Sequence, residues 1–181
     1  MDRIEIKGYK SFKNLMLDLS SINILIGSNG SGKSNFLSFF EFLNRLYEQK
    51  LTEYVALNGG LDKYFFQGSK TTDTIYAKID FKDNFYLFEL KEGDNRFVLS
   101  KEGLGYHSGY YDIAGFGNEA NVKSYSGLLR ADYIKKYLSE IKKYHFHDTG
   151  KSSPFTKESN IINDVYYLYE KGENIAAFLY S

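Results

Sequence analysis

The sequence predicts an α/β fold, and three stretches carry that prediction. An apolar run at residues 21–26 leads straight into a Gly-rich loop, which opens onto a helical pattern. Further on, three runs of alternating apolar and polar residues are separated by Asp/Asn/Gly turns, as in an antiparallel meander. Residues 128–144 then return to helical spacing, with Leu129, Tyr133, Ile134, Tyr137, Leu138, Ile141 and Tyr144 three or four apart.

The loop is Gly27, Ser28, Asn29, Gly30, Ser31, Gly32, Lys33 and Ser34. It fits G-x-x-x-x-G-K-[ST], the phosphate-binding pattern of nucleoside-triphosphate enzymes. At ordinary glycine frequency a random chain of this length meets the pattern roughly once in two hundred times. The residue types follow from the chemistry. Gly27, Gly30 and Gly32 free the backbone to aim N–H groups at phosphate oxygens, and the following helix offers its positive end. Lys33 supplies a full charge for the β/γ-phosphates, and the Ser34 hydroxyl suits Mg²⁺. These residues and Asn35 form the candidate nucleotide site, with Lys33 as its catalytic side chain. The ordinary alternative is a Gly/Ser-rich turn that binds nothing; the strand before the loop and the helix after it argue against that.

In chain order, residues 3–7 alternate as a half-buried strand, residues 8–14 bend, residues 15–19 form a second strand and residues 22–26 a third. This places a hairpin ahead of the loop, whereas the simplest P-loop proteins carry the loop after their first strand. The helix expected over residues 32–50 is apolar on more than one face through Phe36, Leu37, Phe39, Phe40, Phe42, Leu43, Leu46 and Tyr47, the mark of a sandwiched helix. Residues 52–57 are ambiguous, and Asn58-Gly59-Gly60 breaks the chain. The meander strands fall at 74–81, 85–90 and 96–100, and residues 104–121 have room for another hairpin. The basic face of the 128–144 helix carries Arg130, Lys135, Lys136, Lys142 and Lys143. Asp132 and Glu140 interrupt it, which favours a solvated face over a nucleic-acid ridge. His145, His147 and Asp148 are too few for a metal centre and read as a hydrogen-bonded loop. Residues 150–159 are a polar loop, residues 160–168 an apolar-rich segment, and a last helix begins after Asn174, its expected N-cap.

Composition narrows the class. A chain of 181 residues with no net formal charge has no bulk pull toward nucleic acid or membrane. The absence of Cys excludes disulfides, thiolate metal sites and Cys nucleophiles. No apolar run approaches membrane-spanning length, and the N-terminus has no signal-peptide core, so a cytoplasmic location is expected.

A P-loop hydrolase also needs an apolar strand ending in Asp for Mg²⁺, often with a following Glu. The nearest matches end at Asp80 and Asp18; both lie in alternating strands, and Glu follows neither. Nor is there a Leu-Ser-Gly-Gly-like segment. Yet Lys7-Gly8-Tyr9-Lys10-Ser11-Phe12, followed by residues 23–37 with their Asn-Gly-Ser-Gly-Lys-Ser-Asn core, resembles the opening of the ABC-type ATPases of the SMC/RecF/OLD group. The likeness is greatest to bacterial AAA-type ATPases of anti-phage and toxin–antitoxin-like systems. It extends more loosely to residues 144–148 and 172–179.

The resemblance implies a P-loop NTPase fold: an ABC-ATPase-like mixed sheet with an antiparallel β subdomain and flanking helices. It implies an N-terminal lobe, with a P-loop core at 1–60, the β subdomain at 61–127 and a helical segment at 128–181. Signature and Walker-B motifs would lie outside the chain. It further implies ATP and Mg²⁺ as cofactors, a second ATPase head as partner, and coupling to nucleic acid or a nuclease. By family analogy Gln67 is the candidate for a glutamine that touches Mg²⁺, and the Lys10-Ser11-Phe12 bend lies near the nucleotide. Two other classes stay open here: a small nucleotide or nucleoside kinase using the same loop, and a non-catalytic interaction module.

Overall fold

The computed structural model describes residues 1–107, 109–115, 117–144, 146 and 166–180. They divide into two compact units, Met1–Ile141 and Lys142–Ser181.

The first unit is a six-stranded sheet with helices on one face. Its strands are β1 (Arg3–Tyr9), β2 (Phe12–Asp18), β3 (Thr74–Phe81), β4 (Asn84–Gly93), β5 (Arg96–Tyr106) and β6 (Gly109–Asp112). They lie in the order β2-β1-β3-β4-β5-β6, and every pairing is antiparallel. Local chemistry sets the turns. Lys10 takes a positive φ of 46° in the tight β1–β2 turn. Asp94 and Asn95 take φ of 49° and 59° between β4 and β5, as a two-residue hairpin of the I′ kind requires.

The helices are α1 (Lys33–Tyr47), α2 (Leu51–Leu57), α3 (Leu129–Ser139) and, in the second unit, α4 (Ile175–Tyr180). The aromatic side of α1 lies on the inner sheet face. Phe39 stacks on Phe88 with centroids 6.4 Å apart and rings 8° from parallel, and Phe42 meets Phe97 edge-on. Phe39, Phe42, Leu43, Leu46, Ile4, Ile6, Ile75, Ile79, Tyr86 and Phe88 are fully buried. Each such side chain contributes roughly 2 kcal/mol of gross hydrophobic stabilisation. On the outer face the glycines of β5 leave room for rings: a Cβ at Gly105 would stand 1.9 Å from Phe85, and one at Gly103 would stand 2.0 Å from Tyr110. The aromatics fill the gaps that missing side chains leave.

Several expectations need correction. The strand expected at residues 22–26 is not one. Ile22, Ile24 and Ile26 are 82%, 79% and 89% exposed, and no described strand lies beside them. A β ladder needs hydrogen-bonded neighbours, so an intrinsic preference for strand is not realised there. For the same reason the expected mixed sheet is antiparallel throughout among the described residues. The bend at 8–14 contracts to the tight turn between β1 and β2. β5 continues to Tyr106 and pairs with β6, which gives residues 104–121 their hairpin, and the ambiguous residues 52–57 belong to α2. The 128–144 helix shortens to α3, where Arg130 and Lys136 are exposed, as a solvated face requires. Arg130 lies 3.7 Å over the Tyr106 ring, and Lys135 pairs with Asp132 at 3.0 Å.

In the second unit, Asn174 stands at the N-cap position of α4, its O accepting from Phe178 N at 2.9 Å, and its side-chain amide accepts from Tyr169 N at 2.8 Å and donates to Tyr167 O at 2.6 Å. His145, His147, Asp148 and residues 150–159 lie outside the described residues, as do residues 160–165. Among the described residues no helix is long and apolar enough to cross a membrane.

Candidate nucleotide site

α1 begins without a side-chain cap. Gly32 occupies the N-cap position at φ 93°, a left-handed conformation that favours glycine. The first turn carries no acidic side chain, so its positive end is left to an external anion. The preceding loop curls around Lys33, whose Nζ donates to Gly27 O and Ser28 O at 2.7 Å each and to Ser31 Oγ at 3.2 Å. Ser31 N closes the curl on Ser28 O at 3.3 Å. Residues 27–31 and Ser34 are exposed, while Gly32, Lys33 and Asn35 are half-buried. The structure thus brings Gly27, Ser28, Asn29, Gly30, Ser31, Gly32, Lys33, Ser34 and Asn35 into one open loop and helix start.

The β1–β2 turn docks against that start. Asn35 Nδ2 donates to Ser11 Oγ at 2.9 Å. A Cβ at Gly32 would meet Phe12 Cε1 at 3.1 Å and Ser11 Oγ at 3.2 Å. One turn on, Ser38 Oγ accepts from Lys10 Nζ at 2.9 Å and donates to Asn35 O at 2.9 Å. Tyr9 OH stands 3.1 Å from the same oxygen. Burial pushes the Tyr9 hydroxyl far above its ordinary range, so it remains a neutral member of this network. Ser38 carried no signal of its own, because a lone serine in an aromatic helix reads as filler. Only the fold shows that it ties β1 to the loop-bearing helix.

Gln67 sits at φ 57° after the 3-10 turn Leu61–Lys63. It lines a cleft of about 550 Å³ together with Lys10 and Asn35. Asp80 lies on β3 beside Lys78, its ion-pair partner at 2.9 Å, and Asp18 bonds Arg3 on β1. Both near-matches to a Walker-B Asp are therefore held in ladders on the sheet. No group of three or more His, Cys, Asp or Glu suited to a metal occurs among the described residues.

The donor set fits a phosphate chain with Mg²⁺: an uncapped, acid-free helix start, a lysine ammonium within the loop, and an exposed Ser34 hydroxyl in the first turn. Comparison with known proteins bears on this directly. Residues 1–177 match the AAA ATPase domain family. A segment of 42 residues is 48% identical to the tungstate uptake system ATP-binding protein TupC of Campylobacter jejuni, over 23% of this chain and 13% of that protein. The match leaves most of that protein's length uncovered, and it carries a likeness to an ATP-binding protein over that segment alone. With a family match spanning nearly the whole chain, this protein belongs to the AAA ATPase domain family, a family of nucleotide-binding ATPases.

Proposed function

We propose that this chain is the nucleotide-binding lobe of an ABC-type ATPase head of the SMC/RecF/OLD group, acting in the cytoplasm. It binds ATP and Mg²⁺ on Gly27–Ser34 and Asn35. Lys33 holds the β/γ-phosphates, Ser34 contacts the metal, and Gln67 is the further candidate contact. One observation carries this reading: the curled loop around Lys33 at an uncapped helix start. When bound, Mg²⁺ would neutralise charge that builds on the phosphates. The chain's own residues orient those phosphates and screen them.

The lobe gains its remaining catalytic groups from a second ATPase head. Three features support this: no apolar-Asp-Glu strand or Leu-Ser-Gly-Gly-like segment in the sequence, and bare isoleucines on the run that feeds the loop. Nucleotide state then governs pairing of heads and action on nucleic acid or a nuclease partner, as in the anti-phage ATPases that the sequence resembles.

Lys33→Ala tests the site. Losing a charge-assisted contact of this kind costs about 1.5–3 kcal/mol, so ATP·Mg affinity should fall at least tenfold while circular dichroism stays unchanged. Equal affinity of variant and wild type by calorimetry would overturn the reading.

A further inference from the structure

The corner between α1 and α2 holds an arginine whose donors the fold leaves unused. α1 ends in a reversal at Gln49, which takes φ of 60°. Lys50 N donates to Arg45 O at 2.9 Å and Tyr54 N to Lys50 O at 3.0 Å, and buried Leu46, Leu51 and Val55 anchor both helices in the core. The reversal sets Glu41 and Arg45, one turn apart on α1, against Lys50, Glu53, Tyr54 and Leu57, three or four apart along α2. These side chains line a cleft of about 400 Å³.

Arg45 is half-buried, and its Nε–H is enclosed with no acceptor among the described residues. Its guanidinium stands 5.8 Å from the centroid of the Tyr54 ring and makes no hydrogen bond or ion pair with a described residue. Enclosing a charged donor unmet is costly, so the group calls for an explanation. The aromatic ring attracts the cation and steadies it, which keeps its N–H groups in position for an acceptor.

The lining selects which acceptor fits. A carboxylate matches the planar guanidinium with two parallel hydrogen bonds, and exposed Lys50 adds a second positive charge. Glu41 and Glu53 share the cleft, so a doubly charged phosphate meets more repulsion there than a carboxylate does. The Glu53 carboxylate suits the amide N–H groups of a peptide, which an inorganic anion lacks. Leu57, 79% exposed on the same lining, offers apolar contact that such an anion cannot use either.

We propose that the α1–α2 cleft docks an acidic segment of a partner protein. One side-chain carboxylate of the partner bonds the Arg45 guanidinium beside Lys50, and an adjoining apolar side chain packs on Leu57. The surface shares no residue with Gly27–Asn35 and does not rest on the phosphate-site reading.

The experiment follows the Arg45 Nε–H resonance by nitrogen–proton NMR, assigned by its loss in Arg45→Lys. The titrants are acetyl-Leu-Glu-Leu-amide, acetyl-Leu-Gln-Leu-amide and sodium phosphate at matched ionic strength. The glutamate peptide should move the resonance saturably and bind about tenfold tighter than the glutamine peptide, the worth of one hydrogen bond to a charged group. It should also bind tighter than phosphate. Binding to variants is read from the α2 backbone amides, and thermal unfolding checks that they stay folded. Arg45→Lys keeps the charge but loses the fork, and should weaken the glutamate peptide about fivefold. Leu57→Ala should weaken both peptides about twofold while leaving phosphate unchanged. A still Arg45 resonance, equal affinity for the two peptides, or tighter binding of phosphate overturns the proposal; the last would make the cleft a site for a free anion. Lys33→Ala should leave the peptide titrations unaltered, and a change there would merge the cleft with the phosphate loop and overturn it as well.

Discussion

Glu102 is an ionisable residue, yet it is fully buried on β5. Its Oε1 accepts from Tyr86 OH at 2.8 Å and from Val122 N at 3.1 Å, and its Oε2 from Asn121 N at 2.8 Å. Burial raises the carboxyl above its usual range, against the pull of these donors. The sign follows from linkage: the folded state binds this proton more tightly than the unfolded chain. The stability Glu102 contributes is therefore full below the unfolded value and declines as pH rises through the folded one. Glu102→Gln should remove that decline, visible in urea unfolding followed from pH 4 to pH 8. Glu102→Ala should cost about 2–4 kcal/mol, since two N–H groups and a tyrosine hydroxyl lose their acceptor. An unchanged unfolding midpoint in the alanine variant would show that water replaces the carboxylate. No spacing rule exposed Glu102. The alternation of β5 placed Phe97 and Leu99 inward, but the register shift opposite Glu89/Leu90 changed which residues follow them into the interior.

At the level of elements, the loop motif, the aromatic helix after it and the meander were all legible from period and turn residues. Residues 22–26 were not, for a physical reason. Their composition suits a strand buried on both faces, and such a strand takes its structure from neighbours rather than from local preference. The docking of Ser11 and Phe12 on Gly32 was equally silent, since it depends on how a hairpin folds over a helix start. The exposure of Ile24 yields a direct prediction. Ile24→Lys should change stability of the isolated chain by no more than about 0.5 kcal/mol, as for an ordinary surface position. The same change should lower self-association measured by light scattering, because a bare apolar run is a sticky one. A loss of several degrees in melting temperature would mean that the run packs in a sheet after all.

For the whole molecule, the Gly-rich loop stands without a described Walker-B strand beside it, so ATP hydrolysis should lag far behind ATP binding. Steady-state ATP hydrolysis by the pure chain should stay near background even at saturating Mg·ATP; robust turnover would show that the chain carries its own water-orienting group. The fold nonetheless tethers α1 at both ends. At the loop end, Asn35 bonds Ser11 and Lys10 bonds Ser38. At the far end, Gln49 Nε2 donates to Ala120 O at 2.8 Å, and Lys123 Nζ reaches Glu48 at 2.6 Å. Glu119, from the same crossing segment, accepts from Leu51 N and Thr52 N at the start of α2. Fifteen residues of helix span about 22 Å. A rod pinned at both ends cannot pivot about one of them, so the loop end and residues 119–123 are held at a fixed separation. In mechanical terms α1 is a strut, with its far bearing formed by the segment that Glu102 holds to the sheet.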